Sequence, residues 1–349
     1  MKEKFIISNS SSLRSVLDKL NKVGLNSPVL FIENEKSQVI GSVSDGDIRR
    51  GLLEGLNLES NIEECMNTSF KHISESDPKR NEKCKSFKEN SINIVPVLNQ
   101  DRELVEVVLL NEKRALIPAE GIIMAGGLGS RLKPLTDHKP KPMLEVGGKP
   151  IIQYNFERLS QFGISNIHVA LRYLGEQISD HYKDGSDIGC KLSYVTEVEP
   201  LGTIGAVKLI KNINQEYVIL MNSDLLTNID YEDFFNVFIE RGADMAVATI
   251  PYEVPIPYAV LEMNEDKFVK SFSEKPTYTY QSNGGIYLIK KSLLELIPNQ
   301  GKFDATDFMN AVIDQDFKLI SYPIRGYWLD IGKHNDFEKA QRDIDHIQF

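Results

Sequence analysis

Ile122-Ile123-Met124-Ala125-Gly126-Gly127-Leu128-Gly129-Ser130-Arg131-Leu132-Lys133-Pro134-Leu135-Thr136 is followed shortly by Lys139-Pro140-Lys141-Pro142-Met143-Leu144. An apolar strand runs into a glycine-rich turn, and two isolated cations come after it. Glycines let backbone N–H groups crowd round an anion with no side chain in the way. Arg131 and Lys141 add the charge that a polyphosphate needs. Two commoner nucleotide loops are excluded. A Walker loop requires Gly-Lys-Ser/Thr, and a dinucleotide fingerprint wants a glycine near Leu132; neither is present.

Outward from this loop, apolar strands alternate with helical stretches. Gly121–Met124, 166–170, 218–221, 244–250, 285–289 and 319–323 read as strands, and 151–162 and 175–182 as helices. Such alternation predicts an α/β domain with a Rossmann-like mixed, mostly parallel sheet covered on both faces. Ligands on these sheets sit at the carboxyl ends of the strands, where the glycine-rich loop lies. Asp224 follows the apolar strand Tyr217–Met221, and Asp330 lies in Tyr327-Trp328-Leu329-Asp330-Ile331-Gly332. A carboxylate at the end of a buried strand is well placed to hold a cation over phosphates. Mg²⁺ prefers one or two carboxylates with waters and phosphate oxygens. The six histidines form no triad-like motif in the sequence.

The ordered set of motifs resembles the sugar-phosphate nucleotidyltransferases, whose signature is a glycine-rich loop with an arginine and then Pro-Lys-Pro-Met. The resemblance covers about 230 residues, from 118 to the end of the chain. Ser130 stands where threonine is frequent, Ser223 replaces the glycine of a Gly-Asp pair, and Ala259 replaces that of Tyr-Gly-Val. The resemblance implies that Ala125, Gly126, Gly127, Gly129 and Ser130 hold the nucleotide, with Arg131 and Lys141 catalytic. Asp224 and Asp330 would be the ligands of Mg²⁺. Glu199-Pro200-Leu201-Gly202-Thr203 resembles the Leu-Gly-Thr segment beside the base, where Gly202 would let the backbone approach. Glu197 precedes it, and a carboxylate there can accept from both N1–H and N2–H of guanine, which favours GTP. Glu274 and Lys275 match a Glu-Lys-Pro motif for sugar hydroxyls and sugar phosphate, with Asn283 and Gly285 lining the same pocket. No hexapeptide repeat follows Phe337, so an appended acyltransferase half is not expected.

Before residue 116 the chain carries a weak internal repeat. Ile7-Ser8-Asn9-Ser10 matches Ile73-Ser74-Glu75-Ser76, and 28–34 matches 94–100. The offset suits a small α/β module used twice, 1–66 and 67–115, each reading as helix, strand, turn, strand, helix. The segment Gly41-Ser42-Val43-Ser44-Asp45-Gly46-Asp47-Ile48 resembles the close of a CBS domain, and two copies make the usual CBS pair. By that resemblance Ser44 and Asp47 would hold the phosphate and ribose of an adenine nucleotide. Asp47 acting only as a helix cap is the alternative. In the second copy the element has decayed to Leu109 and Glu112. With the CBS pair, the closest resemblance is to CBS-fused glucosamine-1-phosphate guanylyltransferases of bacterial nonulosonate (legionaminate-type) pathways. Mannose 1-phosphate, a heptose 1-phosphate or another base remains open, as does a non-catalytic adenine-nucleotide sensor.

Composition bounds these readings. The 349 residues suggest two domains. A formal net charge of −10 argues against general nucleic-acid binding. Cys65, Cys84 and Cys190 are too few for a disulfide framework or zinc site. No apolar run is long enough to span a bilayer, so a cytoplasmic protein without membrane contact is expected. Paired CBS modules suggest a homo-oligomer, a dimer through those modules.

Overall fold

The computed structural model describes residues 2–23, 28–77, 80–110 and 115–347. The chain divides into two units, Met1–Leu116 and Ile117–Phe349.

In the first unit the repeat seen in the sequence becomes a repeated topology. β1 (Ile6–Ser8), α1 (Leu13–Val23), β2 (Val29–Glu33), β3 (Val39–Ser44) and α2 (Asp45–Leu53) make one copy. β4 (Ile73–Ser74), α3 (Arg80–Glu89), β5 (Ile94–Leu98) and β6 (Leu104–Leu109) make the other. In both, a short parallel strand leads into an antiparallel pair. The leading strands β1 and β4 were not expected. At three and two residues they are too short to show a period-2 pattern. Glu112 lies outside the described residues, as does the start of any closing helix in the second copy. The stripe Leu13, Val16 and Leu20 packs on Leu30, Ile32 and Val43 in one core cluster. Burial pushes the Cys84 thiol up to about 11, which leaves it inert.

Ser44 and Asp47 bind each other rather than facing outward. The Ser44 N–H and hydroxyl donate to Asp47 Oδ2 at 2.8 and 2.7 Å, and the Asp47 N–H donates to Ser44 Oγ at 3.4 Å. This is the capping box of α2, closed on its outer side by an Arg50–Asp47 ion pair. A cavity of about 740 Å³ opens beside it, lined by Ser44, Asp45 and Gly46 from one copy and Ile92 and Ile94 from the other. Asp47 is not among its lining residues.

In the second unit the apolar run before the glycines forms β7 (Ala119–Ala125). After it come β8 (Glu145–Val146), β9 (Lys149–Pro150), α4 (Ile151–Gln161), β10 (Asn166–Leu171), α5 (Glu176–Tyr182) and β11 (Lys191–Thr196). Then follow β12 (Tyr217–Asn222), β13 (Leu225–Thr227), α6 (Tyr231–Glu240), β14 (Met245–Pro255), β15 (Val260–Met263), β16 (Val269–Ser273) and β17 (Thr277–Lys290). α7 (Ala305–Asp314), β18 (Leu319–Pro323), β19 (Trp328–Asp330) and α8 (His334–Asp343) complete it. The central sheet has the order β11-β10-β7-β12-β17-β14-β18. β17 alone runs against its neighbours, so the sheet is mixed and mostly parallel, as the alternation predicts. β10 and β12 flank β7 on opposite sides, and this reversal opens a crevice at the carboxyl end of β7.

β14 and β17 exceed their expected lengths. Their inner halves are buried in the sheet, while Pro251–Pro255 and Thr277–Gln281 continue past it as a two-stranded exposed arm. β15 and β16 form a second small ladder at its end. No helix among the described residues is long and apolar enough to cross a membrane.

Candidate active site

The glycine-rich turn leaves β7 at that crevice. Gly129 adopts φ 62°, a left-handed conformation that L side chains rarely take. A Cβ there would sit 3.0 Å from Lys141 Cβ and from Thr136 Cγ2. Thr136 donates its hydroxyl to the Gly129 carbonyl at 2.9 Å, closing the loop. Gly127 meets open space, so backbone there is approachable by a ligand. Ser130 and Arg131 open a short 3₁₀ turn and are exposed, and Ala125 is buried as the last residue of β7.

Lys141, by contrast, is only 8% exposed. A buried ammonium requires paired charge, and the structure supplies two carboxylates. Lys141 Nζ forms an ion pair with Asp224 Oδ2 and lies 3.6 Å from Asp330 Oδ1. The two aspartates are far apart in sequence and meet through a two-strand ladder. β13 pairs antiparallel with β19, setting Leu225 opposite Asp330, and the Ile331 N–H donates to the Asp224 carbonyl at 3.1 Å. The Asp224 loop is tied down from two more sides. Ser223 N–H donates to Met124 O at 3.2 Å, and the buried Asn155 amide of α4 donates to Ser223 O at 3.3 Å. Asn155 was not singled out from the sequence. Its signal is a polar residue on the buried stripe of an amphipathic helix.

Asp224 Oδ1 and Asp330 Oδ1 are buried and have no hydrogen-bond donor. Burial first, then the charge of Asp224, pushes the Asp330 carboxyl above its usual range, while Lys141 and Arg131 pull it back. Two buried oxygens without donors on like-charged groups suit a hard cation. Among the described residues no cluster of three or more His, Cys, Asp or Glu could hold a metal by itself. A two-carboxylate site of this kind fits Mg²⁺ that takes its remaining ligands from water and phosphate.

Glu197 is buried against the glycine loop. A Cβ on Gly126 would lie 2.6 Å from Glu197 Oε1 and 3.3 Å from Arg172 Cβ. Glu197 Oε2 accepts from the Leu201 N–H at 3.0 Å, so half of this carboxylate shapes its own loop. Gly202 serves a different contact from the expected one. At φ 86°, a Cβ there would stand 2.5 Å from Phe303 O, so the glycine allows close docking on the chain leading to α7. Arg172, at the carboxyl end of β10, is a further cation beside the glycine loop that the sequence reading missed.

Gly285 joins the group. At φ 71°, it lies against Asn222, where a Cβ would sit 2.7 Å from the side-chain nitrogen. Asn283 accepts from Gly285 N–H at 2.9 Å and donates to the Tyr287 hydroxyl at 2.8 Å, so its amide is already engaged. Glu274 and Lys275 are not brought in. They sit in the exposed turn between β16 and β17, with no side-chain hydrogen bond or ion pair to another described residue. Thr277 is eight residues along the strand from Gly285, roughly 27 Å at 3.4 Å per residue.

One of the histidines belongs to a polar row assembled by the fold. Glu120, His168 and Ser193, on the adjacent strands β7, β10 and β11, form a hydrogen-bonded row. His168 Nε2 is 2.7 Å from Glu120 Oε2, and Nδ1 is 2.6 Å from Ser193 Oγ. No local spacing reveals it: parallel register sets His168 opposite Ser193, while Glu120 lies two residues along β7 from Ile122, the residue opposite His168, and so on the same face. Burial pushes the Glu120 carboxyl up, but hydrogen bonds from His168, Asn214 and Gln215 outweigh this and hold it below the usual range. The row lies toward the amino end of β7, away from the glycine loop.

A glycine loop at a switch point, a buried lysine and two convergent carboxylates define an α/β protein that handles phosphates. The model of the nucleotidyl transferase family matches residues 120–346, and the chain belongs to that family. It is 31% identical over 232 residues to a D-glycero-alpha-D-manno-heptose 1-phosphate guanylyltransferase of Aneurinibacillus thermoaerophilus, a match spanning 65% of this chain and 99% of that one. It is 32% identical over 222 residues to a mannose-1-phosphate guanylyltransferase catalytic subunit beta of Drosophila pseudoobscura pseudoobscura, over 62% of this chain and 60% of the relative's length. Among solved structures, HddC from Yersinia pseudotuberculosis superposes with a TM-score of 0.52 at 29% identity, covering 65% of this chain and 99% of that chain.

Proposed function

We propose that the second unit transfers a nucleoside monophosphate from GTP to a sugar 1-phosphate, releasing pyrophosphate. The observation that carries this reading is Lys141, buried between Asp224 and Asp330 beside an open glycine loop. A sugar phosphate oxygen attacks the α-phosphorus in line with the departing pyrophosphate, so positioning and charge dominate. The loop N–H groups from Gly126 to Ser130 cradle the phosphates. Lys141 turns from its carboxylates to the α-phosphate, and the exposed Arg131 steadies the leaving group. When bound by Asp224 and Asp330, Mg²⁺ would neutralise the phosphate oxygens. Glu197 Oε1 faces the loop and supports guanine recognition, as do the relatives' names.

The sugar is the finer part of the proposal. The CBS resemblance favours glucosamine 1-phosphate, as in a nonulosonate pathway. The names of the relatives favour a manno-configured sugar 1-phosphate as the second reading. We also read the first unit as a CBS pair whose interior cavity takes an adenine nucleotide; about 740 Å³ falls in the range of small-ligand sites. Its contact there is the Asp45–Gly46 backbone beside Ser44, with Asp47 acting as the helix cap.

Pyrophosphate release, measured over all common NTPs against glucosamine, mannose and heptose 1-phosphates, tests the assignment. GTP with one of these sugars should give turnover. Preference for UTP, CTP or dTTP removes the guanylyl part, and no release with any pair removes the transferase. Calorimetry of the full chain with AMP, ADP and ATP tests the first unit, and no heat from any of them removes that ligand.

A further inference from the structure

From Pro251 to Gln281 every residue except Ile256, Val260 and Pro276 is exposed, yet the sequence is not that of a solvated loop. The strand register sorts it by face. Tyr252 opposes Tyr280 and Val254 opposes Tyr278, all on one face of the arm. Pro251 with Gln281, Glu253 with Thr279 and Pro255 with Thr277 take the other. The outer ladder repeats the pattern: Leu261 opposes Phe272 and Met263 opposes Val269, with Glu262 and Ser271 behind them. Period-2 segregation of this kind marks a face that is meant to be covered.

Neither apolar face is covered by the other described residues of its unit. Tyr252 is 59% exposed, Phe272 68% and Phe268 71%. Six aromatics and four aliphatic side chains between Tyr252 and Tyr280 are exposed in this way. At about 150–250 Å² per aromatic they present on the order of 1,000 Å² of apolar surface. A lone soluble chain exposes patches of roughly 300–600 Å². A stable specific interface takes about 800 Å² from each partner. Tyrosine, phenylalanine and methionine are the residues enriched at interface cores, and neither apolar face carries a formal charge.

We propose that this arm is the contact surface of a homodimer, in which the apolar faces of one copy lie on the same faces of the second. An uncharged apolar face is complementary to itself, which is what a two-fold contact requires. The open edges of the arm favour face packing over strand addition, because Pro251 and Pro255 interrupt the donor row of one strand. This interface belongs to the second unit and is separate from any contact through the first.

Light scattering of the full chain at micromolar concentration should give twice the chain mass. Tyr252→Ser/Phe272→Ser/Tyr280→Ser changes only exposed side chains and should weaken the dimer at least about a hundredfold, with unchanged circular dichroism. Glu253→Ser/Thr279→Ala, on the opposite face, should stay dimeric. Hydrogen exchange on the unmodified chain provides an independent reading: protection within 251–281 should fall on dilution. A monomeric wild type, a dimeric triple variant, or exchange in 251–281 that does not respond to dilution overturns the proposal.

Discussion

Lys141 connects burial to chemistry at the scale of a single residue. Its ammonium is held by Asp224 and Asp330, the charge pairing that a buried lysine needs. Lys141→Ala and Arg131→Ala should each lower kcat by about a hundredfold or more, the usual loss for a donor at a reacting phosphate. Steady-state kinetics on folded variants checks this, and near-normal rates in both would remove the site. Asp330 carries the opposite cost. One oxygen of its half-exposed carboxyl is buried, and that burial first, then the charge of Asp224, disfavours its ionised form. Asp330→Asn should therefore raise the melting temperature in EDTA by ~2–4 °C while abolishing the metal-dependent rate. A lower melting temperature would mean that the pair stabilises the apo fold. Arg131 and Lys141 are legible in the sequence because the glycines and prolines around them are local. Asn155 and Arg172 are not, because their roles depend on what the fold brings beside them.

The decisive elements are short. Central strands such as β7 and β12 were legible from the apolar runs Ile122–Ala125 and Tyr217–Met221, whereas β11, Lys191-Leu192-Ser193-Tyr194-Val195-Thr196, carries no such run and was not expected. β13 and β19, at three residues each, carry no readable pattern, yet they bring the two aspartates together. The extension of β14 and β17 is visible in retrospect as the alternation Tyr252-Glu253-Val254 and Tyr278-Thr279-Tyr280. The glycine turn gives a direct test. Gly129→Ala combines a left-handed φ with contact on Lys141 and Thr136, so it should cost about 1–3 kcal/mol by denaturant titration. It should also lower kcat more than it raises KM, since it displaces the lysine. The row Glu120–His168–Ser193 gives a test of stability against pH. A carboxyl held low in the folded state adds stability that is full above its unfolded value and is lost as pH falls through the folded one. The advantage of wild type over Glu120→Gln, read from urea midpoints, should therefore be full at pH 7 and shrink below the ordinary value of 4.5. A gap that widens in acid would contradict this.

Over the whole molecule, the chain divides into two units, Met1–Leu116 and Ile117–Phe349. The proposed metal would also act at this scale, since Asp224 and Asp330 offer too few ligands among the described residues to hold Mg²⁺ tightly alone. Mg²⁺ without nucleotide should barely move the melting temperature, whereas Mg²⁺ with GTP should raise it by several degrees, following ligand-linked stabilisation. A large shift from Mg²⁺ alone would point to further protein ligands. The β13–β19 ladder has a consequence in time as well as in space. During synthesis the glycine loop, Lys141 and Asp224 all leave the ribosome before Asp330. A nascent chain can thus carry every strand of the central sheet before the two carboxylates can meet. The pair is completed in one step, when β19 closes on β13.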